Sequence, residues 1–444
     1  MTTTTITTMI TAAERRRLEL LVSSRVGLVR SLQEYRPLHT QPRLPVLYSA
    51  GLSDWDLQGE ETTFGVGKGR DAAEAVRGAI GEAVERYCCG VFDTTALPSG
   101  TLAEMGPEAV SPAELILYSD RQYASGEIRY PRFDPAQRLH WAVGHDLTDG
   151  GRALVPASAT YLAYRGELAE ETWCYNTSNG LAAGPDLTSA VLGGLCELVE
   201  RDAYMINWMN GIPARRVLFD DDLAPEAALV RSDLADHGVE LDVFDLTSDI
   251  DIPVMLALAV DETGRGPAAV IGLGADLDPR VALIKAVFEL GQGVAGETAR
   301  FLARGEDARI RDVSQVKAIM DHSTLFNEPE YLRELDFLRT GTETRRLDAW
   351  PTRSSDDPAR DLAHLVDLLR RAGSRAAFVD VTTSDVADTG LVVVRTVATE
   401  LQPIHFGYRC ERFGGRRVLD APARMGLATV DDHEDLNRCP HPLP

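Results

Sequence analysis

Two stretches of the chain repeat one arrangement of charge: Glu82-Ala83-Val84-Glu85-Arg86 and Glu197-Leu198-Val199-Glu200-Arg201. Residues three apart share a face of a helix, so each stretch presents two carboxylates side by side with an arginine directly after them. Like charges so placed repel. Val76, Ile80 and Val84 accompany the first pair and Val191, Leu195 and Val199 the second, which draws both helices partly into a core, where a carboxylate requires a cation. Four carboxylates converging from two such helices are hard oxygen ligands suited to Mg2+, an ion that shares its remaining positions with substrate phosphates. Arg86 and Arg201 can pair with those phosphates or with the carboxylates.

The repetition extends beyond the glutamates. Gly69–Arg86 laid over Gly184–Arg201, a shift of 115 residues, gives identity at nine of eighteen positions, among them Asp71/Asp186, Ala75/Ala190 and Gly78/Gly193. A weaker third copy lies 92 residues further on, where Asp278, Ala282, Glu289 and Leu290 match Asp186, Ala190, Glu197 and Leu198, and Gln292 replaces Glu200. Solvated helix faces with weak surface ion pairs have no reason to keep this spacing. The elements that must position the side chains are therefore repeated helices, the first two entered through Gly-rich turns, Gly65-Val66-Gly67-Lys68-Gly69 and Ser178-Asn179-Gly180-Leu181-Ala182-Ala183-Gly184. Neither turn is a Walker A loop, which needs Gly-Lys followed by Ser or Thr, and neither is a dinucleotide fingerprint. Beside an acidic helix, Lys68 is read as a phosphate contact and Asn179 as a nucleotide or sugar contact.

The rest of the chain bounds the class. An apolar fraction of 44% with 25% charged residues over 444 residues is ordinary folded composition. The net charge of −23 repels phosphate backbones and anionic lipid, which excludes nucleic acid and membrane surfaces as expected partners. No apolar run reaches the length of a membrane span, and the Thr-rich start, Thr2 to Thr11, lacks the apolar core of a signal peptide. Six cysteines without a C-x-x-C pair predict reduced thiols and a cytoplasmic location. Only Lys68, Lys285 and Lys317 are lysines among 45 basic residues, so each lysine carries more information than usual.

Residues 13–36 show a helical rhythm that predicts an N-terminal helical arm, and 241–246, 253–260 and 268–273 predict strands followed by a helix over 279–304. A polar region from Gly305 to about Arg360 leads to a helix near 362–372 and strands at 376–381 and 391–397. The expected architecture is mixed α/β (α+β), with the pseudo-repeated acidic helices packed on β-sheet. The expected division is a helical arm over 1–60 and one catalytic domain over 61–444, including a Pro-rich C-terminal tail.

Gly67-Lys68-Gly69 with Gly81-Glu82-Ala83-Val84-Glu85-Arg86, then Ser178 to Gly184 with Glu197 to Asp202, then Glu289-Leu290-Gly291-Gln292, resemble in order the nucleotide-binding motifs of the YcaO family. The resemblance runs from about residue 61 to the end. It implies a YcaO-type fold, ATP and Mg2+ as cofactors, and Glu82, Glu85, Glu197 and Glu200 as magnesium ligands. It further implies Lys68, Arg86, Asn179, Arg201, Glu289 and Gln292 around the nucleotide. The tail sharpens it: azoline-forming members resemble this chain in closing on Pro-x-Pro-x-Pro, here Pro440-His441-Pro442-Leu443-Pro444, whereas thioamide- or amidine-forming members generally do not. Proline's fixed φ stiffens such a tail, so that Pro440 and Pro442 would hold the terminal carboxylate of Pro444 in the active site as a base.

The implied activity is an ATP-dependent cyclodehydratase, or heterocyclase, of ribosomal peptide natural product biosynthesis. A Cys, Ser or Thr of a ribosomally made precursor peptide attacks the preceding backbone carbonyl, ATP phosphorylates the oxygen, and loss of phosphate leaves a thiazoline or oxazoline. About 60 residues before the first motif are too few for a fused leader-binding domain, so a separate leader-peptide-binding partner protein is expected, with a downstream azoline oxidase and a homodimeric chain. Thioamide formation, macroamidine formation and a non-catalytic peptide-binding scaffold are the alternatives. The chain departs from the family pattern at Gly78, at Ser189 and at Val294, where an arginine is common; Arg300 is the substitute candidate for that arginine.

Overall fold

A computed structural model of the chain describes residues 12–53, 64–162, 164, 171–303, 305, 309–355 and 357–444. The Thr-rich start and part of the expected arm lie outside them.

Helix α1 (Ala12–Leu21) precedes strands β1 (Val29–Tyr35), β2 (Val46–Leu52) and β3 (Phe64–Gly69), an antiparallel sheet in that order, followed by helix α2 (Ala72–Cys88). Short strand β4 (Ser99–Gly100), β5 (Leu139–Asp146), β6 (Arg152–Pro156) and β7 (Leu181–Gly184) lead to helix α3 (Leu187–Asn210). Then come β8 (Arg215–Leu218), helix α4 (Pro225–Ala235), β9 (Val239–Asp245), β10 (Val254–Asp261), β11 (Ala269–Ala275) and helix α5 (Pro279–Ala303). Strand β12 (Thr344–Arg346), helix α6 (Pro358–Arg371), β13 (Ala376–Asp380), β14 (Val392–Ala398) and helix α7 (Arg417–Arg424) complete the longer elements. One sheet runs β11-β10-β9-β8-β12, antiparallel except for β12 beside β8; another runs β4-β5-β13-β14-β7 with β6 on β5.

This is the mixed α/β architecture expected, with one correction at the arm. The helix stops at Leu21, a tight turn follows in which Gly27 N donates to Ser23 O at 3.0 Å, and Val29–Tyr35 is a strand paired with β2. Leu28, Val29 and Leu32 fit one helical turn and a short strand equally well by spacing. The free edge of β2 decides between them by supplying backbone partners.

The central strands explain why their sequence reads as unbroken apolar runs. All eight residues of β10 and all seven of β11 are buried. Leu256, Leu258 and Val260 pack in the core shared with α3, while Met255, Ala257 and Ala259 pack in the core shared with α4 and α5, so the sheet is covered on both faces.

The internal repeat is a strand, a capped turn and a helix: β3 into α2, β7 into α3, β11 into α5. Asp71 and Asp186 each accept from the backbone N–H three residues on, Glu74 and Ser189, both at 2.9 Å. The backbone oxygens of Asp71, Asp186 and Asp278 accept in turn from Ala75, Ala190 and Ala282 at 3.1, 3.1 and 3.0 Å. The glycine-rich stretch before α2 is thus a strand rather than a turn, and its glycines serve helix approach. A Cβ on Gly67 would stand 1.8 Å from Ala75 O, and one on Gly274 would stand 2.2 Å from Ala282 O. The same strand position touches the same helix position in the first and third units, which extends the repeat from sequence to packing.

Among the described residues no helix is long and apolar enough to cross a membrane. All six cysteines carry free thiols.

Candidate functional site

The three units end on one cavity of about 1680 Å3, and all ten residues expected at metal and nucleotide line it. The first glutamate of each pair secures its own unit. Glu82 Oε2 accepts from Val66 N at 2.9 Å and Glu82 Oε1 from Arg86 at 3.1 Å. In the second unit Glu197 Oε2 accepts from Gly180 N at 3.0 Å and pairs with Arg201 at 3.7 Å. The second glutamates do different work. Glu85 Oε1 accepts from Ala183 N at 2.6 Å, joining α2 to the strand of the second unit, and Glu200 pairs with Arg201 at 3.5 Å. Glu289 of the third unit takes Lys68 at 3.3 Å and Arg201 at 3.8 Å, so one carboxylate ties all three units together. Asn179 and Gln292 reach the same space without a charge.

The charges do not cancel. Of the ten expected residues five are carboxylates, Glu82, Glu85, Glu197, Glu200 and Glu289, and three are cations, Lys68, Arg86 and Arg201; Lys285 on the same wall is tied to Asp276 at 2.8 Å. The excess of two negative charges shows in the titration behaviour. Burial, then repulsion from Glu82, pushes the Glu85 carboxyl up to about 8. Burial likewise raises Glu197 and Glu200 against the pull of Arg201. Glu289 is also buried, but Lys68 and Arg201 outweigh burial and hold it below the ordinary carboxylate range. Arg86 Nε and Arg201 Nε are buried with no hydrogen-bond partner.

Hard oxygen donors short by two positive charges fit a divalent magnesium ion. Among the described residues, though, no three carboxylate, thiol or imidazole side chains are grouped closely enough to hold a metal ion between them. The glutamates stand as two pairs, each with its own arginine, and not as a four-carboxylate cage. That suits Mg2+, which binds through one or two carboxylates together with phosphate oxygens and water.

The raised Glu85 gives a first prediction. A group whose pKa is higher folded than unfolded stabilises the fold most at low pH and loses that contribution as pH rises through the folded value. Ion-free protein should therefore melt at progressively lower temperature from about pH 5 to about pH 8, and Mg2+ should restore the melting temperature at the upper end. Glu85→Gln should flatten this slope. Thermal unfolding across that range with and without Mg2+ checks it, and a flat profile shared by parent and variant would contradict it.

The C-terminal tail is packed, not frayed. His441 is 0% exposed and Leu443 2%, and Pro440 is buried. Gly407 N donates to His322 Nε2 at 2.8 Å, which leaves His322 Nδ1 as the donor to His441 O at 2.9 Å; His441 Nε2 donates to His405 O at 2.8 Å. Burial lowers the His322 pKa to about 4 and carries His405 and His441 well below their ordinary value, so all three are neutral. Trp208 Nε1 adds a bond to Cys439 O at 2.9 Å. Pro442, Leu443 and Pro444 then reach the wall of the cavity, whereas Pro440 does not line it and belongs to the anchored part of the tail.

The histidine anchor has no local sequence signature, since His322 and His441 meet across 119 residues. Lys285 did have one: two of the three lysines in an arginine-rich chain line this cavity. Arg300 lines it too and is paired with Glu297, while Val294 is packed in the core beside α4.

Residues 66–402 match the family model described as "YcaO cyclodehydratase, ATP-ad Mg2+-binding". A solved structure described as "Heterocyclase in complex with substrate and Cofactor" is similar with a TM-score of 0.78 and 28% identity, over 98% of this chain and 57% of that one. The heterocyclase TruD is similar with a TM-score of 0.64 and 27% identity, over 82% of this chain and 50% of that one. An uncharacterized protein of Methanothermobacter thermautotrophicus is 29% identical over 361 residues, 79% of this chain and 84% of that one. The chain thus spans about half the length of the two heterocyclases.

Proposed function

The chain belongs to the YcaO family, whose cofactors are ATP and Mg2+, and from that premise we propose that it is an ATP-dependent peptide cyclodehydratase. The reading rests on one observation above the others. The acidic helices and the end of the Pro-x-Pro-x-Pro tail, which lie far apart in sequence, line a single cavity. A phosphate-binding site alone has no need of the tail.

The substrate on this reading is a ribosomally made precursor peptide with Cys, Ser or Thr next to the reacting amide, delivered by a separate leader-binding protein. Bound Mg2+ and ATP supply an activated phosphoryl group and neutralise its charge. Glu85 and Glu200, the pair whose charge is least compensated, would hold the ion, with Glu82 and Glu197 beside them. Lys68, Arg86 and Arg201 would face the phosphate oxygens, and fixed cations there stabilise charge that develops during transfer. Asn179 and Gln292 would orient the nucleotide. The carboxylate of Pro444 would accept the proton released as the side-chain nucleophile adds to the amide carbon. That new bond to the amide carbon closes the ring; the former carbonyl oxygen would take the terminal phosphoryl group of ATP, releasing ADP, and then depart as phosphate while the amide N–H proton is lost and the carbon–nitrogen double bond forms.

Mass spectrometry of a peptide incubated with the chain, its partner, ATP and Mg2+ tests the reading. The expected product has lost the mass of one water for each Cys, Ser or Thr converted. Replacement of oxygen by sulfur would instead identify a thioamide-forming enzyme, and an unchanged peptide with no ATP consumed would leave a scaffold.

A further inference from the structure

Behind the loop that carries Asn179 lies a second, smaller pocket of about 120 Å3. Its charges are the reverse of those in the main cavity: Arg201, Arg395 and Arg412 line it, and among the described residues no aspartate or glutamate does. In a chain of net charge −23 that is unexpected.

Arg395 on β14 is 6% exposed, and among the described residues no carboxylate lies within ion-pairing distance of it. Two of its N–H groups are taken by neutral acceptors, Thr177 O at 2.8 Å and Asn176 Oδ1 at 3.2 Å, and its Nε has no partner. The Arg412 guanidinium donates to the Cys174 sulfur at 3.1 Å, and among the described residues no carboxylate lies within ion-pairing distance of it. Glu197 attracts Arg395 from beyond ion-pair contact, but a guanidinium withdrawn from water with no carboxylate in direct contact is costly, and its planar fork matches phosphate and carboxylate. The pocket is too small for a nucleotide but has room for an ion of a few heavy atoms. Asn179 and Arg201 line both spaces, which makes them neighbours across one loop.

We propose that this pocket is an oxyanion site that receives the inorganic phosphate released in the main cavity. The proposal rests on the cyclodehydratase reading for the source of the phosphate, but the binding itself does not. Phosphate that moves behind the loop leaves the main cavity free for the finished peptide to depart and for nucleotide to exchange.

The experiment is a calorimetric titration of inorganic phosphate into the full chain saturated with Mg2+ and ADP, without peptide, so that the nucleotide cavity is already filled. Saturable binding is expected in the parent. Arg395→Gln and Arg412→Gln should each weaken it by about tenfold, the loss of one charge-assisted hydrogen bond, while ADP affinity is kept. Arg412 is more exposed than Arg395, so its variant reports even if Arg395→Gln folds poorly. No saturable phosphate binding in the parent, equal binding in both folded variants, or acetate binding as tightly as phosphate would overturn the proposal. Failure of ring formation with phosphate binding intact would count against the cyclodehydratase reading alone.

Discussion

Glu85→Gln and Glu200→Gln proteins are expected to fold as well as the parent chain and to lose Mg2+-dependent ATP hydrolysis by about 100-fold or more, since even the partners that only orient metal ligands are worth about 10–100-fold. Both halves of the expectation come from the same imbalance of charge. In the ion-free fold the Glu85 carboxyl titrates only near pH 8, so at neutral pH it is already mostly protonated, and glutamine reproduces the shape and charge of that form. What glutamine cannot supply is the negative charge that a bound dication draws out. Glu289→Gln should behave in the opposite way. Glu289 is held ionised by Lys68 and Arg201, so its loss takes the carboxylate from Lys68 and one of three from Arg201 and should lower the melting temperature. Thermal unfolding beside phosphate-release assays on the three variants separates the roles. Full ATP turnover in folded Glu85→Gln and Glu200→Gln proteins would remove both residues from the metal site.

That contrast between glutamates was only partly visible in sequence. The spacing of Glu82, Glu85 and Arg86 and its copy at Glu197, Glu200 and Arg201 was legible because a helix converts spacing directly into a shared face. Strands β10 and β11 were legible for a related reason, since full burial on both faces leaves nearly unbroken apolar runs. The glycines from Gly65 to Gly69 were misread as a turn because glycine signals conformational freedom and close approach alike, and only the packing of Ala75 against Gly67 tells which applies. Which carboxylate is neutralised depends on contacts such as Lys68 with Glu289, separated by 221 residues, and no local pattern records those. The same holds for Arg395 and for the histidines around the tail.

The tail carries the second large effect. A carboxylate that removes a proton must sit within hydrogen-bond reach of it, and misplacement by about 1 Å can cost on the order of 100-fold in rate. Two glycines appended after Pro444 would move the charge away while leaving Pro440 and His441 in place, so ring formation should fall by about that factor. ATP affinity should persist, because the residues assigned to nucleotide lie on the three strand–helix units or, for Asn179, on the loop that enters the second of them. Deletion of Pro440–Pro444 is the less discriminating variant: it removes His441 from between His322 and His405 and leaves His405 O without its donor, so stability would fall together with activity. His441→Gln, which keeps a donor toward His405 O, distinguishes anchoring from catalysis. If the histidine only positions the tail, this variant should retain more ring formation than His441→Ala at equal ATP affinity. Ring formation at the parent rate in the glycine-extended chain would exclude Pro444 as the base, and loss of ATP affinity in that chain would make the tail part of the nucleotide site instead.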